Sequence, residues 1–371
     1  MVTMKLYINN KPYDGFTNTT FNKSFINLVS TFSAILPIDK TYAEYLKSNN
    51  VQKYPIIIGA SAKIYIKGKI VFNGYIEKLS IKQKESQVMR ISGRSITADI
   101  IDTTINKDIL TRFSNNTTLK QICERVLKNI GLNIKVLESI DTGKFSKDDF
   151  IAPQVGQSLF DFLNQYAKKK QVFIQTQGDG SIKLLRSNNA IDTGTQLLLE
   201  SNGKNNNILE SDTSYDISRL FNKYICHAQT HLTFAVNDTG MQGEATDLSV
   251  RKSRIFNFIS DTNLNNGEAI NRSKWQSNFN KSQFMIYTCK VPYLTYDNEN
   301  VWDTNQLVNI IDTYADINSK LLISDIKFIE DSQSGIVAEL TMVMKDSFNL
   351  ISAEEQRKQL EKQIGQTLAN V

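Results

Sequence analysis

The feature that most constrains the fold is a series of short, strand-like segments joined by tight polar turns. Apolar and polar residues alternate in Ala62–Ile66, and a turn at Gly68 leads into the strand-like segment Ile70–Ile76. Such alternation is typical of strands with one buried face, so the pair predicts a hairpin. Further strand-like segments follow at Tyr75–Ile81 and Gln87–Gly93. Strands at this short, regular spacing predict a small barrel or sandwich.

Two helices are predicted in the next part of the chain. Thr118 is a suitable N-cap for a helix beginning at Leu119, because Gln121 can complete a capping box. Gly131 follows the apolar face of this helix and is a natural C-terminal stop. Ser158 is the predicted N-cap of the second helix. Strand-like segments follow the two helices, at Asn133–Leu137 and Gln171–Gln175.

The third part of the chain returns to strands around a single helix. The helix is predicted over Gly267–Phe279, with its apolar contacts at Ala269, Ile270, Trp275 and Phe279. Thr239–Asp247 is polar and predicts a loop. The predicted strands are Asp216–Phe221, Lys223–Ala228, His231–Val236, Ser282–Val291, Leu307–Ile311, Ser319–Phe328 and Gly335–Val343.

The last segment predicts an amphipathic helix with one apolar stripe. Leu360, Ile364 and Leu368 recur at intervals of four residues in an otherwise mostly polar sequence. Little chain remains to cover this stripe, so we expect it to form a subunit or partner interface. Replacing Ile364 with Asp should therefore weaken assembly, and an unchanged oligomer would reject this role.

Together these patterns predict an α+β, mostly β protein with two small β-barrel domains separated by a mixed α/β module. The N-terminal β-barrel domain spans residues 1–105, and the helix–strand module spans 106–210. The second β-barrel domain, with a helical excursion, spans 211–350. The C-terminal amphipathic helix occupies 351–371.

Charge and hydropathy exclude several classes of partner. The net charge is only +5 over 371 residues, and no long run of like charges is present, so no specific nucleic-acid partner is expected. The short basic clusters Lys168–Lys170 and Arg251–Arg254 are interpreted as solvated surface, the alternative being a phosphate or partner contact. No apolar run approaches the roughly 18 residues of a membrane span, and Met1–Asn10 lacks the features of a signal peptide. We therefore expect synthesis in the cytoplasm without membrane insertion.

The histidines and cysteines do not predict a chemical site. His227 and His231 fall in a strand-like segment where no nearby Cys or acidic pair completes a metal site, so no metal is expected. Cys123, Cys226 and Cys289 lie far apart among apolar neighbours. Such an odd, sparse set argues against a disulfide framework and predicts small core residues in a reducing compartment.

The paired carboxylates also have structural interpretations. Asp99 and Asp102 follow a predicted strand, where an acid commonly caps a helix or pairs with an arginine such as Arg94. Asp148-Asp149 lies in a polar loop, and Glu354-Glu355 lies in the first turn of a predicted helix, where acids favour the dipole. No glycine loop has the phosphate-binding pattern. We therefore expect no catalytic residues and no cofactor.

Several segments together resemble the baseplate hub family of contractile phage tails. The family has a "GYID" strand followed by a "GRS…DLID" strand exit, which Gly74-Tyr75-Ile76-Glu77 and Gly93–Asp102 match in order and spacing. Gly156–Phe160 also matches, as do Leu322–Ile326 and Ala338–Phe348 near the end. The resemblance covers nearly the whole chain.

One departure from the family pattern is visible. The family often has an Arg-rich helix before its aromatic segment, whereas Gly267–Phe279 keeps only Arg272 and Lys274. The details of the interface contacts therefore do not carry over from the family.

The resemblance implies a structural adaptor without enzymatic activity. Hubs of this family form homotrimers in which each chain supplies two similar barrels, so that six barrels face the hexameric tail tube and a trimeric central spike binds the other side. The implied partners are further copies of the chain, the spike, tail tube or tube-initiator proteins, and also tape-measure and baseplate wedge proteins. The implied location is the virion tail baseplate or a related injection particle. The sequence itself shows no repeat between its two strand-rich sections.

Two other functions remain as alternatives. The 113–200 segment resembles peptidoglycan-binding folds of similar size, and co-sedimentation with cell-wall sacculi would test that function. A tail-associated muralytic enzyme is the third possibility. Clearing of cell-wall turbidity that disappears on changing Asp99 or Asp102 would support it.

Overall fold

The structure is a computed structural model. It describes residues 2–13, 16–38, 56–83, 87–105, 115–227, 242–260, 264, 266–331, 335–345 and 347–348. The polar segment Thr41–Lys53, whose sequence predicts an excursion or loop, lies outside these described residues, as does the predicted strand His231–Val236. Glu354-Glu355 and the whole predicted C-terminal helix with Leu360, Ile364 and Leu368 lie outside them too.

Most of the strands belong to one large sheet. Its first group is β1 (Met4–Ile8), β2 (Lys11–Tyr13), β3 (Asn18–Ser24), β4 (Thr31–Ile38), β5 (Ser61–Ile66), β6 (Lys69–Gln83) and β7 (Gln87–Ser95). Its second group is β13 (Ile191–Leu199), β14 (Glu210–Tyr215), β18 (Met285–Val291), β19 (Gln306–Asp312), β20 (Ile317–Asp331) and β21 (Gly335–Met344). The predicted α+β, mostly β class is confirmed.

The large sheet consists of two units with the same strand order. In the N-terminal unit, neighbouring strands run β1-β5-β6-β7-β4-β3. In the C-terminal unit they run β13-β19-β20-β21-β18-β14. Each strand of one unit therefore has a counterpart in the other unit, with the same position in the sheet and the same position along the sequence of its unit. One difference is the first strand, which pairs antiparallel in the N-terminal unit and parallel in the C-terminal unit.

The registers of the two units agree residue by residue. Both long strands, β6 and β20, shift register against their hairpin partner at one point, between Ile76 and Lys78 in β6 and between Ile323 and Asp325 in β20. Two residues beyond each shift, a row crosses four strands. The row is Ser80, Arg90, Ile35 and Asn18 in one unit, and Lys327, Glu339, Lys290 and Glu210 in the other.

The two units join through one antiparallel pairing and share one hydrophobic core. Strand β3 pairs with the second half of β20 over Asn18–Ser24 and Asp325–Asp331. The rings of Phe21 and Phe328, which face each other across this junction, are 5.7 Å apart and fully buried. Beside them the buried ammonium of Lys23 lies 2.7 Å from Asp303. Among the described strands neither unit closes into a barrel, because β2 and β14 are the ends of the main strand path.

A second core lies in the α/β region, which comes between the two units in the sequence. Its helices are α1 (Ala98–Asp102), α2 (Leu119–Asn129) and α3 (Leu159–Lys169), and its strands are β8 (Thr117–Thr118), β9 (Val136–Glu138), β10 (Lys144–Phe145), β11 (Phe173–Thr176) and β12 (Ile182–Leu185). The capping box between Thr118 and Gln121 is confirmed, as is the cap of Ser158 on α3. The predicted strand at Asn133–Leu137 begins later, at Val136.

A small three-stranded sheet packs against the fourth helix. Strands β15 (Lys223–His227), β16 (Gln242–Thr246) and β17 (Ile255–Ile259) lie in the order β16-β15-β17, and α4 (Asn266–Lys281) covers them. Gly243 lets the helix approach closely, because an added Cβ there would lie 2.1 Å from backbone atoms of Ala269 and Ile270. Short 3₁₀ turns at Lys147–Asp149 and Ser187–Asn189 complete the described elements.

Three sequence predictions in this part of the chain are wrong. The strand predicted at Asp216–Phe221 lies instead at Glu210–Tyr215, where the sequence is too polar to show apolar alternation. The loop predicted at Thr239–Asp247 contains β16, which alternates small buried and polar exposed residues. Ile270 of α4 is 38% exposed, and the helix instead packs through small and polar side chains. Among the described helices none is long and apolar enough to cross a membrane.

Candidate assembly surfaces

Two glycines of the motifs that carry the resemblance, Gly74 and Gly93, lie where the backbones of β6 and β7 leave no room for a side chain. At Gly74 an added Cβ would lie 2.0 Å from the carbonyl oxygen of Arg94. At Gly93 it would lie 1.9 Å from the carbonyl oxygen of Tyr75. Only glycine fits at these two positions, because any Cβ would collide with the opposite strand's backbone. The two glycines therefore fix the bend at which β6 leaves its pairing with β5.

Arg94 ties this bend to the first helix. Its guanidinium donates to both carboxylate oxygens of Glu77, at 2.6 and 2.8 Å, and to both of Asp102, at 3.1 and 2.5 Å. Glu77 is the extra residue at the register shift of β6, and Asp102 ends α1. The hydrogen bonds that Glu77 and Asp102 accept from Arg94 raise the pKa of Arg94, and the bond from Arg94 lowers the pKa of Asp102. The predicted pairing of Asp102 with Arg94 is confirmed.

Replacing Arg94 with Met removes two bidentate ion pairs that are partly exposed. The thermal midpoint should fall by a few degrees, which corresponds to a loss of about 1 kcal/mol in stability. Because the pKa of Asp102 is lowered on folding, its contribution is present at neutral pH and is lost as the pH falls through the folded value. The difference between variant and wild type should therefore shrink in acid. Arg90→Met, on the exposed side of the same strand, is the matched control. Equal effects of the two substitutions would contradict a special role for Arg94.

The remaining carboxylate candidates do not form an acid–base pair. Burial is the main cause that raises the pKa of Asp99, with the Asp102 charge adding to it, yet Asp102 itself is held ionised by Arg94. Burial opposes ionisation of Asp149, but the hydrogen bonds from Lys169 and Ser146 and the charge of Lys169 together outweigh it and lower the pKa of Asp149. Asp149 therefore ties a loop to the end of α3. These carboxylates serve as structural partners.

The cysteines are core residues, as predicted. Cys123, Cys226 and Cys289 are all outside any disulfide and at most 1% exposed. Burial raises the pKa of Cys123 and of Cys289 to about 12, so neither thiol ionises near neutral pH. His227 lies in β15, and no group of three or more potential metal ligands occurs within the part of the chain that the structure describes.

The two basic clusters have different environments. Lys169 bonds Asp149, while Lys170 donates to the Lys144 carbonyl at 2.8 Å with its ammonium 4.4 Å from the centre of the Phe145 ring. These lysines are half-buried contacts within the chain and not a fully solvated surface. In the second cluster, the residues 251–253 are exposed as predicted.

Besides the outer sides of β2 and β13, two further stretches of strand edge in the large sheet pair with no described strand. The first is β14, whose outer side pairs with no described strand and whose Tyr215 is 57% exposed. The second is the outer edge of β6 beyond Ile76, where the pairing with β5 has ended. Unpaired backbone N–H and C=O groups on such edges can pair with another strand. Sequence reasoning missed the β14 edge, because the short polar segment Glu210–Tyr215 gives no strand signal.

Comparisons with known proteins identify the fold. No known protein family's sequence profile matches the chain, and no curated protein matches it in sequence. The 43 kDa tail protein of prophage MuSo2 from Shewanella oneidensis is similar in structure, with a TM-score of 0.78 and 23% identity over 94% of this chain and 100% of that one. The tail protein from Neisseria meningitidis MC58 has a TM-score of 0.77 and 16% identity, over 94% and 98% of the two chains.

A more distant structure belongs to a secretion machine. The E. coli c3393 protein, described as a component of the type VI secretion system with structural similarity to phage T4 tail proteins gp27 and gp5, has a TM-score of 0.53 and 8% identity. The match covers 91% of this chain and 76% of that one.

The chain therefore has the fold of phage tail proteins, and the resemblance seen in the sequence is confirmed at the level of the fold. More particularly, it is similar to the fold of the 43 kDa tail protein of prophage MuSo2, over the full length of that chain.

Proposed function

We propose that the chain is the structural baseplate hub of a contractile tail, a homotrimeric adaptor between the hexameric tail tube and the trimeric central spike. It has no catalytic role in this proposal. It is made in the host cytoplasm and assembles into the virion tail baseplate or a related injection particle. Its partners are other copies of itself, the spike, and the tube or tube-initiator proteins, with tape-measure and wedge proteins as further neighbours.

The observation that carries the proposal is the internal duplication of the sheet. Each chain contains two six-stranded units with the same strand order and the same residue rows. Three such chains around an axis would present six similar units, which matches the symmetry of a hexameric tube on one side. The three chains themselves match a trimeric spike on the other side. In the proposal these units are the two barrel-like domains expected from the resemblance.

The proposal includes no enzymatic role because each candidate reactive group is engaged in a structural contact or buried. Asp102 is neutralised by Arg94, Asp149 by Lys169, and the three cysteines are buried. A hydrolase needs one carboxyl group with a raised pKa facing a cleft beside an ionised partner. The Asp99 and Asp102 pair does not provide this, because the ionised member of the pair, Asp102, is already bound by Arg94.

The mass of the purified protein in solution tests the proposal directly. Light scattering should give about three chains per particle, and the trimer should bind its cognate spike and tube-initiator proteins in a pull-down. A specific ring interface is expected to have a Kd of about 1 μM or tighter. A protein that is still monomeric at about 100 μM would therefore contradict the hub function. Co-sedimentation with sacculi in the absence of the spike would instead favour the peptidoglycan-binding alternative.

A further inference from the structure

One strand pairing joins the two units within the chain. Because the unit is duplicated, a second set of strands that corresponds to this pairing is also present. Strand β3 ends the N-terminal unit and pairs with the second half of β20. The counterpart of β3 is β14, and the counterpart of β20 is β6. Strand β14 and the second half of β6 are the two open edges described above. Strand β14 is one end of the strand path, whereas β6 lies near the other end between β7 and β5, and no described pairing joins β14 to β6.

The duplicated registers specify how these two edges would pair. Ser80 of β6 corresponds to Lys327 of β20, because both lie in the same cross-strand row two residues beyond the register shift. Asn18 of β3 corresponds to Glu210 of β14 by the same row. Transferring the β3–β20 register therefore gives an antiparallel β14–β6 pairing. The opposed residues are Lys78 with Asp216, Leu79 with Tyr215, Ser80 with Ser214, Ile81 with Thr213, and Lys82 with Asp212.

Charge supports this register independently of the topology. Lys82 would lie opposite Asp212, and Lys78 opposite Asp216, so each lysine of the open β6 edge meets an aspartate. All four side chains are exposed in the single chain. The corresponding positions at the existing junction, Ile329 with Thr20 and Asp325 with Ser24, carry no such charge pairs. Opposite charges directly across antiparallel strands are stabilising, and a shift of one residue would remove both pairs.

Burial supports the same pairing. Ile326 and Phe328 of β20 are at most 3% exposed because β3 covers their edge. Their counterparts in β6, Leu79 and Ile81, contact the core but stay partly exposed. On the other edge, Ile217 is 57% exposed, whereas its counterpart next to β3 is a fully buried phenylalanine. Both open edges thus have apolar side chains that lack the cover found at the internal junction.

We infer that β14 of one copy pairs antiparallel with the second half of β6 in the next copy, with Asp212 opposite Lys82. The contact is head-to-tail, so it repeats around an axis and closes when the rotation per chain allows it. A ring of three chains, which rests on the proposed hub function, would have six junctions of one kind, three within chains and three between them. The sheet would then have no open β14 or β6 edge.

Charge reversal tests the register. Asp212→Lys and Lys82→Asp each place like charges opposite each other, and each should weaken assembly about tenfold as measured by light scattering across a dilution series. The double variant, Asp212→Lys with Lys82→Asp, restores an opposite-charge pair and should recover most of the wild-type assembly. If neither single variant weakens assembly, or the double variant assembles no better than the single ones, the register is overturned.

Crosslinking tests the strand pairing itself. Ser80→Cys with Ser214→Cys places two thiols opposite each other across the interface, on exposed positions of both strands. Oxidation by copper phenanthroline should give covalent multimers on a non-reducing gel, up to three chains. Ser80→Cys with Thr213→Cys is the control, because neighbouring residues of a strand face opposite sides of the sheet and these thiols should stay unlinked. The three native thiols are buried and should not react.

The outcomes separate this inference from the hub proposal. A wild-type trimer that fails to crosslink through Ser80→Cys with Ser214→Cys overturns the strand pairing and leaves the hub standing. Crosslinked rings with a number of chains other than three support the pairing and contradict the trimeric hub. A monomer without crosslinks overturns both, and the lysines of β6 would then be charges that protect an open edge from pairing.

Discussion

Replacing Gly93 with Ala should lower the free energy of unfolding by at least about 3 kcal/mol and sharply reduce the yield of soluble protein. The new Cβ would lie 1.9 Å from the carbonyl oxygen of Tyr75 and 2.7 Å from the ring of Phe32. The carbonyl belongs to the backbone of the paired strand, so β6 and β7 would have to separate at the centre of the N-terminal unit. Chemical denaturation of the purified variant measures the loss.

Gly68→Ala is the matched control for Gly93→Ala. Gly68 has nothing within 4 Å of an added Cβ, but its φ of +76° disfavours a side chain. This control should cost only about 1 kcal/mol, the strain of a left-handed backbone without any steric clash. If the two substitutions cost the same, the close approach of β6 and β7 does not explain the glycine at position 93.

The sequence allowed the local elements to be predicted where they carry their own signal. The hairpin at Gly68, the capping box of Thr118 and the cap of Ser158 depend on neighbouring residues, and all three are confirmed. Strand β14 was misplaced because an open edge with polar residues on both faces has no apolar alternation. The helix α4 buries Ser273, which accepts from the Cys226 backbone and donates to Gly243, so its packing face does not follow hydrophobicity.

The internal duplication was invisible in the sequence because the two units share burial and not residue identity. At three successive inward positions, β4 has Phe32, Ala34 and Leu36, whereas β18 has Tyr287, Cys289 and Val291. All six side chains are at most 7% exposed. Packing constrains which positions face the core much more strongly than it constrains which apolar residue fills each one. Only the strand order and the registers make the repeat visible.

Replacing Asp247 with Ala should destabilise the small sheet and α4 by about 3–5 kcal/mol, because it leaves the Lys281 ammonium buried without its partner. The two charged groups are 2.9 Å apart, and their side chains are only 1% and 5% exposed. Hydrogen–deuterium exchange in β16 and α4 measures the local loss, and a denaturation midpoint measures the loss over the whole chain. The double variant Asp247→Leu with Lys281→Leu removes both charges and should recover part of the lost stability.

The stabilising effect of this pair should also depend on pH. Burial alone would raise the pKa of Asp247, but the adjacent Lys281 and the hydrogen bonds from Ser249 together outweigh burial and lower it. A lowered pKa in the folded state gives stability that is complete above the unfolded value of about 3.9 and is lost as the pH falls through the folded value. Wild-type protection of β16 and α4 should therefore decrease below about pH 4, whereas protection in the Asp247→Leu, Lys281→Leu variant should change less over that range.

Lys223→Met provides the control for the buried pair. Lys223 forms an ion pair of similar length, 2.8 Å, with Glu244 in the same small sheet, but both side chains are more than one third exposed. Water screens such a pair, so this substitution should change stability by no more than about 1 kcal/mol. A loss as large as that of Asp247→Ala would mean that the small sheet tolerates no substitution. Burial of the Asp247–Lys281 pair would then not be the cause of its effect.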